Sequence, residues 1–199
     1  SEGGGVGHRG VCGVLEARGG GGAGASSEGG TALVDGADEG HERVVGLLLR
    51  HGAEINLQDS GGGTGLMAAA AYGRLPHQRV IELLLERGAE VNVQSSDGGT
   101  ALMLAARYGH DRVVDLLLQR GADVNLQNSN GVTALMGAAH NGHERVVEML
   151  LQRGAEVNLQ NSSGGTALLY AAGSGHQRVI ELLLERGAEG NVQSSDGGT

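Results

Sequence analysis

Thr100-Ala101-Leu102-Met103-Leu104-Ala105-Ala106-Arg107-Tyr108-Gly109-His110 runs directly into Asp111-Arg112-Val113-Val114-Asp115-Leu116-Leu117-Leu118-Gln119-Arg120-Gly121, and these residues decide the fold. Thr100 is a good helix N-cap, the Ala- and Leu-rich stretch after it favours a short helix, and Gly109 stops it. After His110 a second helix is expected over 111–120, apolar on an unusually broad front, and Gly121 ends it. Asn128-Ser129-Asn130-Gly131 then signals a turn. The reading is helix, turn, helix, and a turn-rich finger.

The same unit recurs along the chain. Its threonine returns at Thr31, Thr64, Thr100, Thr133, Thr166 and Thr199, spaced by 33 residues except for one interval of 36. Three extra residues, Arg74-Leu75-Pro76, account for that interval, and they are read as a tolerated extension of one interhelix turn. Gly-His pairs keep the register at Gly40-His41, Gly109-His110, Gly142-His143 and Gly175-His176. Units are thus expected at 31–63, 64–99, 100–132, 133–165 and 166–198, with a further one opening at Thr199. Residues 1–30 read as a Gly-rich, degenerate half repeat of flexible character. Residues 77–100 and 176–199 differ only by Val91 against Gly190, the mark of a copied block of three repeats. The chain opens on Ser1 and reads as a segment of a longer array.

No single unit is expected to fold alone. Its helices are about ten residues long, below the roughly 12–15 that isolated helices need, and only stacked neighbours can cover the second helix. The pairs Ala69-Ala70, Ala105-Ala106, Ala138-Ala139 and Ala171-Ala172 permit close helix approach.

The pattern Thr-Ala-Leu-Met-x-Ala-Ala-x-x-Gly-His, then x-Arg-Val-Val-x-Leu-Leu-Leu-x-Arg-Gly-Ala-Asp-Val-Asn, resembles the ankyrin repeat. The usual Thr-Pro-Leu-His opening is altered. Ala or Gly takes the Pro place (Ala32, Gly65, Ala101, Ala134, Ala167), and Val34, Met67, Met103, Met136 and Leu169 take the His place. The resemblance implies an all-α solenoid of stacked helix-turn-helix units with projecting hairpin-like fingers. It also implies a groove, lined by first helices and fingers, that binds other proteins and is not catalytic.

Composition supports this reading and excludes others. Gly supplies 39 of 199 residues, Phe and Trp are absent, and Tyr72, Tyr108 and Tyr170 are the only aromatics, which suits thin layers filled by Leu, Val and Ala. Every one of the 14 basic residues is Arg, so no lysine is present for Schiff-base chemistry or a P-loop. A net charge of −9 without any basic cluster argues against nucleic acid as a partner. With Cys12 alone there is no disulfide framework, and a reducing, intracellular and cytoplasmic setting is expected. No apolar stretch is long enough for direct membrane insertion.

The repeated chemistry is read as structural. Equivalent histidines (His8, His41, His77, His110, His143, His176) sit one layer apart, roughly 10 Å, too far to share a metal, so each is expected to satisfy local backbone groups. Gly5-Val6-Gly7-His8-Arg9-Gly10 lacks the strand and helix of a dinucleotide fingerprint. The spacings Arg79/Glu82, Arg112/Asp115, Arg145/Glu148 and Arg178/Glu181 suggest i,i+3 ion pairs on a solvated face. No catalytic residue, cofactor or metal is expected.

Positions that vary between repeats carry more information. By the resemblance, Tyr72, Arg107, Tyr108, His140 and Asn141 edge the groove, with Tyr170 adjoining; Tyr and Arg are the residues enriched in interface hot spots. Finger residues Gln58, Asp59, Gln94, Gln127, Asn128, Gln160 and Asn161 are a second, less discriminating set. The function expected is a scaffold or adaptor that binds a protein partner, with self-association through uncapped ends. Two alternatives stand beside it: a regulatory or targeting segment of a larger enzyme or channel, and an evolving remnant with no dedicated partner.

Overall fold

Each threonine of the pattern starts a helix by the same contact. The Oγ1 atoms of Thr31, Thr64, Thr100, Thr133 and Thr166 accept from the backbone N–H of Val34, Met67, Met103, Met136 and Leu169 at 3.1–3.4 Å. All five threonines are buried, so these bonds satisfy helix-start donors that water cannot reach. The computed structural model describes residues 31–190. The degenerate half repeat at 1–30, Cys12, and the repeat start at Thr199 lie outside the described residues.

The described residues are helical and form no strand, in ten helices. They fall into two compact units, divided between Ser96 and Asp97. The first unit holds α1 (Ala32–Asp38), α2 (Glu42–Arg50), α3 (Gly65–Ala70) and α4 (Leu75–Glu86). The second holds α5 (Ala101–Arg107), α6 (Asp111–Gln119), α7 (Ala134–Asn141), α8 (Glu144–Gln152), α9 (Ala167–Ser174) and α10 (Gln177–Glu185).

Within each unit the chain makes two layers. In the second unit the first helices α5, α7 and α9 pack side by side, the second helices α6, α8 and α10 do the same, and each pair packs together. The first unit repeats this with α1 on α3 and α2 on α4. The alanine pairs serve the close approach: Ala105, Ala106, Ala138 and Ala139 are fully buried. Val113, Val114, Leu117, Val146, Val147 and Leu150 fill the space between layers, so the broad apolar front is covered from several sides.

The extra residues of the second repeat do not lengthen the turn. Leu75 and Pro76 enter α4 itself, which begins at Leu75 with Arg74 as its cap and Pro in its first turn. A fixed φ and a missing N–H suit Pro to that place, so the insertion adds helix rather than loop. The second helices elsewhere are nine residues long, whereas α4 has 12.

Candidate functional site

Three of the recurrent histidines, His77, His143 and His176, bond not within their own repeat but one repeat back. His143 Nε2 lies 3.0 Å from the Arg107 carbonyl, His176 Nε2 lies 3.0 Å from the His140 carbonyl, and His77 Nε2 lies 2.8 Å from the Asp38 carbonyl. A carbonyl only accepts, so Nε2 carries the hydrogen in each ring. The ring fits because the preceding first helix ends on a left-handed glycine without a side chain. A Cβ on Gly109 (φ 72°) or Gly142 (φ 74°) would lie 2.5 Å from Nδ1 of His143 or His176. The Gly142-His143 pair therefore serves two interfaces, its glycine receiving the His176 imidazole and its histidine reaching the Arg107 carbonyl. Among the described residues no three His, Cys, Asp or Glu side chains gather as a metal site would require.

The fingers are bound together by the residues expected at their tips. Gln58 Nε2 donates to Gly62 O at 2.7 Å and to Gln94 O of the next finger at 2.9 Å. Gln127 Nε2 does the same to Gly131 O at 2.7 Å and Gln160 O at 3.0 Å. The side chains of Asp59, Asn128 and Asn161 each accept two backbone N–H groups within their own turn, at 2.7–3.0 Å. These polar groups are engaged inside the protein. Further back, Asn125 receives Glu156 N–H at 2.9 Å and donates to Gly154 O at 3.2 Å, a staple that Asn158 reproduces in full, that Asn56 reproduces on its accepting side, and that the sequence reading passed over. Asn at the same place in every unit was the available signal.

The varied positions of the second unit lie on its row of first helices. Arg107 and Tyr108 are exposed, Tyr108 by 51%, with the guanidinium carbon 5.9 Å from the phenol ring centroid. His140, one helix on, meets the Tyr170 ring edge-on at 5.8 Å between centroids, and its Nδ1 lies 3.2 Å from Ser174 Oγ. Tyr170 hydroxyl accepts from Asn161 Nδ2 at 2.7 Å, which joins finger to helix row. Asn141 turns its amide onto its own helix, donating to Gly137 O at 2.9 Å. Arg107 with Tyr108, and His140 with Tyr170, thus make two polar and aromatic pairs in a strip along this row. Gln94 and Tyr72 belong to the first unit. There Tyr72 is 43% exposed and stacks on His77, ring centroids 5.0 Å apart.

Charge is sorted between the layers of the second unit. Helices α6, α8 and α10 carry Asp111, Asp115, Glu144, Glu148, Glu181 and Glu185, while α5, α7 and α9 carry no carboxylate. An open depression of about 630 Å³ between α6 and α8 is lined by Asp111, Asp115, Arg145 and Glu148. The expected i,i+3 pairing holds for Arg178 and Glu181 at 3.0 Å, and it holds the Glu181 carboxyl below its ordinary value. Elsewhere arginines reach the preceding repeat instead: Arg145 to Asp111 at 3.2 Å and Arg79 to Glu42 at 3.9 Å. Stacking brings the neighbour's carboxylate within reach of the long arginine side chain, and the pairs are solvent-exposed and weak.

A family model for ankyrin repeats (3 copies) matches residues 33–128 and again 102–194. Taken with the threonine-capped helix pairs and their finger turns, this establishes that the chain belongs to the ankyrin-repeat family.

Proposed function

We propose that this protein is a non-catalytic scaffold or adaptor that holds a protein partner on its first-helix face, at Tyr72 in the first unit and at Arg107, Tyr108, His140, Asn141 and Tyr170 in the second. Ankyrin repeats generally serve as protein–protein interaction modules and are typically non-catalytic. The observation that carries the reading here is a contrast within the second unit. Finger and second-helix polar groups recur from repeat to repeat and bond to one another, whereas the first-helix strip changes at every repeat and leaves Arg107 and Tyr108 exposed. Large amphipathic side chains on a rigid support give contact area at low entropic cost. The finger residues Gln58, Asp59, Gln94, Gln127, Asn128, Gln160 and Asn161 contribute mainly by holding one wall of the groove in shape.

Among the described residues no helix is long and apolar enough to cross a membrane. With Cys12 as the sole cysteine, we assign the protein to a reducing, cytoplasmic compartment. The last described helix pair favours self-association, because Leu184 on α10 is 48% exposed while its counterparts Leu118 and Leu151 are 8% exposed. Replacing Tyr72, Arg107 and Tyr108 together by Ala tests the main reading. Partner capture is expected to be lost with helical circular dichroism unchanged; full retention of capture would remove the first-helix face from the account.

A further inference from the structure

The first-helix row of the second unit is poor in acceptors and rich in unused donors. Arg107 makes no ion pair among the described residues, and it is the only Arg, Lys, Asp or Glu of α5, α7 and α9. His140, itself exposed, engages Nδ1 with Ser174, and Tyr170 hydroxyl accepts from Asn161 with its own hydrogen uncommitted. In a chain of net charge −9, a strip without carboxylates that offers a guanidinium, an imidazole and a phenol is a local reversal.

One place in the strip lacks a side chain. Gly137 sits in α7 where α5 has Leu104 and α9 has Tyr170. Nothing in its surroundings demands glycine. A Cβ placed there would make ordinary contacts, the three nearest atoms all belonging to Arg107 at 3.6–3.8 Å. Glycine inside a helix is unfavourable relative to alanine, so helix stability does not account for it either. Its effect is that this place in the row, beside Arg107, carries no side chain.

We propose that this strip selects an acidic partner: an extended protein segment whose Asp or Glu side chain packs beside Gly137 and pairs with Arg107, with His140 and Tyr170 as the next donors along the row. The proposal rests on the first-helix face being the binding face, and it adds the chemistry of what binds there. It is confined to the second unit, since α1 of the first unit carries Asp35 and Asp38. A guanidinium–carboxylate contact is charge-assisted and directional, and an acidic host would otherwise repel such a segment.

The test uses fluorescence anisotropy of the full chain with short labelled peptides of repeating Gly-Glu, Gly-Gln and Gly-Lys. The Gly-Glu peptide is expected to bind in preference to the other two, more weakly as salt is raised. Arg107→Gln should weaken it about tenfold, and Arg107→Glu should transfer the preference to Gly-Lys. Gly137→Ala should weaken binding while raising the melting temperature, which separates crowding beside Arg107 from loss of the fold. Arg153→Gln, which removes an Arg153–Asp115 pair on the second-helix side, should change nothing. Equal binding of the Glu and Gln peptides, absence of binding by any of them, or an unmoved preference in Arg107→Glu would overturn the proposal. Continued partner capture sensitive to Tyr108→Ala would then show the binding face itself to stand, with the charge selection alone rejected.

Discussion

His143 Nε2 lies 3.0 Å from the carbonyl oxygen of Arg107, and its ring fills the space that a side chain on Gly109 would take. One imidazole thereby closes the end of a helix in the preceding repeat and ties two layers together. Gly109→Ala is predicted to destabilise by about 1–3 kcal/mol, from a left-handed backbone given a Cβ and a ring displaced. His143→Ala is predicted to cost about 1 kcal/mol or more for the lost bond and packing. The double variant should cost less than the sum, because the ring that obstructs the added methyl group is gone. Urea unfolding of the four proteins checks this; additive costs would deny the contact.

The stacking of helix pairs also depends on the asparagine behind each finger. Asn125→Ala removes both the bond from Glu156 N–H and the bond to Gly154 O, and it should lower stability by about 1–2 kcal/mol, large for a site open to solvent. Hydrogen exchange at Glu156 should quicken in the same variant. An unchanged exchange rate would show that the staple is not held in solution.

Much of this architecture is legible in the sequence, and the boundary of legibility has a physical cause. Thr100 and Gly109 announce helix ends because caps are local contacts, made within three or four residues. What Arg145 and His143 touch is not local. Their partners Asp111 and Arg107 lie a repeat away, and the offset between layers decides which groups meet. The 33-residue period reveals that layers stack but not their rotation, so Arg145 read as a partner of Glu148 pairs instead with Asp111. The same holds at the candidate face, where Arg107 and Tyr108 stand out by variation alone. The bond joining Asn161 to Tyr170 crosses from a finger to the helix after it, and the choice of Asn141 to bond its own helix rather than face outward is a rotamer that the pattern does not specify.

In the first unit, pH should act through Asp38. Burial, with Glu39 adding to it, holds its carboxyl above the ordinary Asp value, and a hydrogen bond with Tyr72 opposes this in part. The folded chain therefore keeps that proton more readily than the unfolded one. The stability it contributes is complete below the ordinary Asp range and is lost as pH rises through the raised value. Asp38→Asn should gain on the wild type as pH rises through that window, when the two are compared by urea midpoints. A gain confined to lower pH would contradict the assignment.

Self-association should respond to one apolar side chain. Leu184→Gln is expected to reduce any concentration-dependent rise in sedimentation coefficient while leaving the helical spectrum intact. Leu151→Gln, at the covered equivalent position, should instead destabilise the fold, since Leu151 is buried. Equal self-association with and without Leu184 would place the contact elsewhere.

The central claim, that a partner protein is held on the first-helix face, is tested most directly by site-specific photo-crosslinking in cells. A photoreactive phenylalanine analogue placed at Tyr108 should yield a defined covalent adduct, and the same probe at Glu148 on the second-helix face should yield none. Adducts formed from Glu148 and absent from Tyr108 would contradict the account.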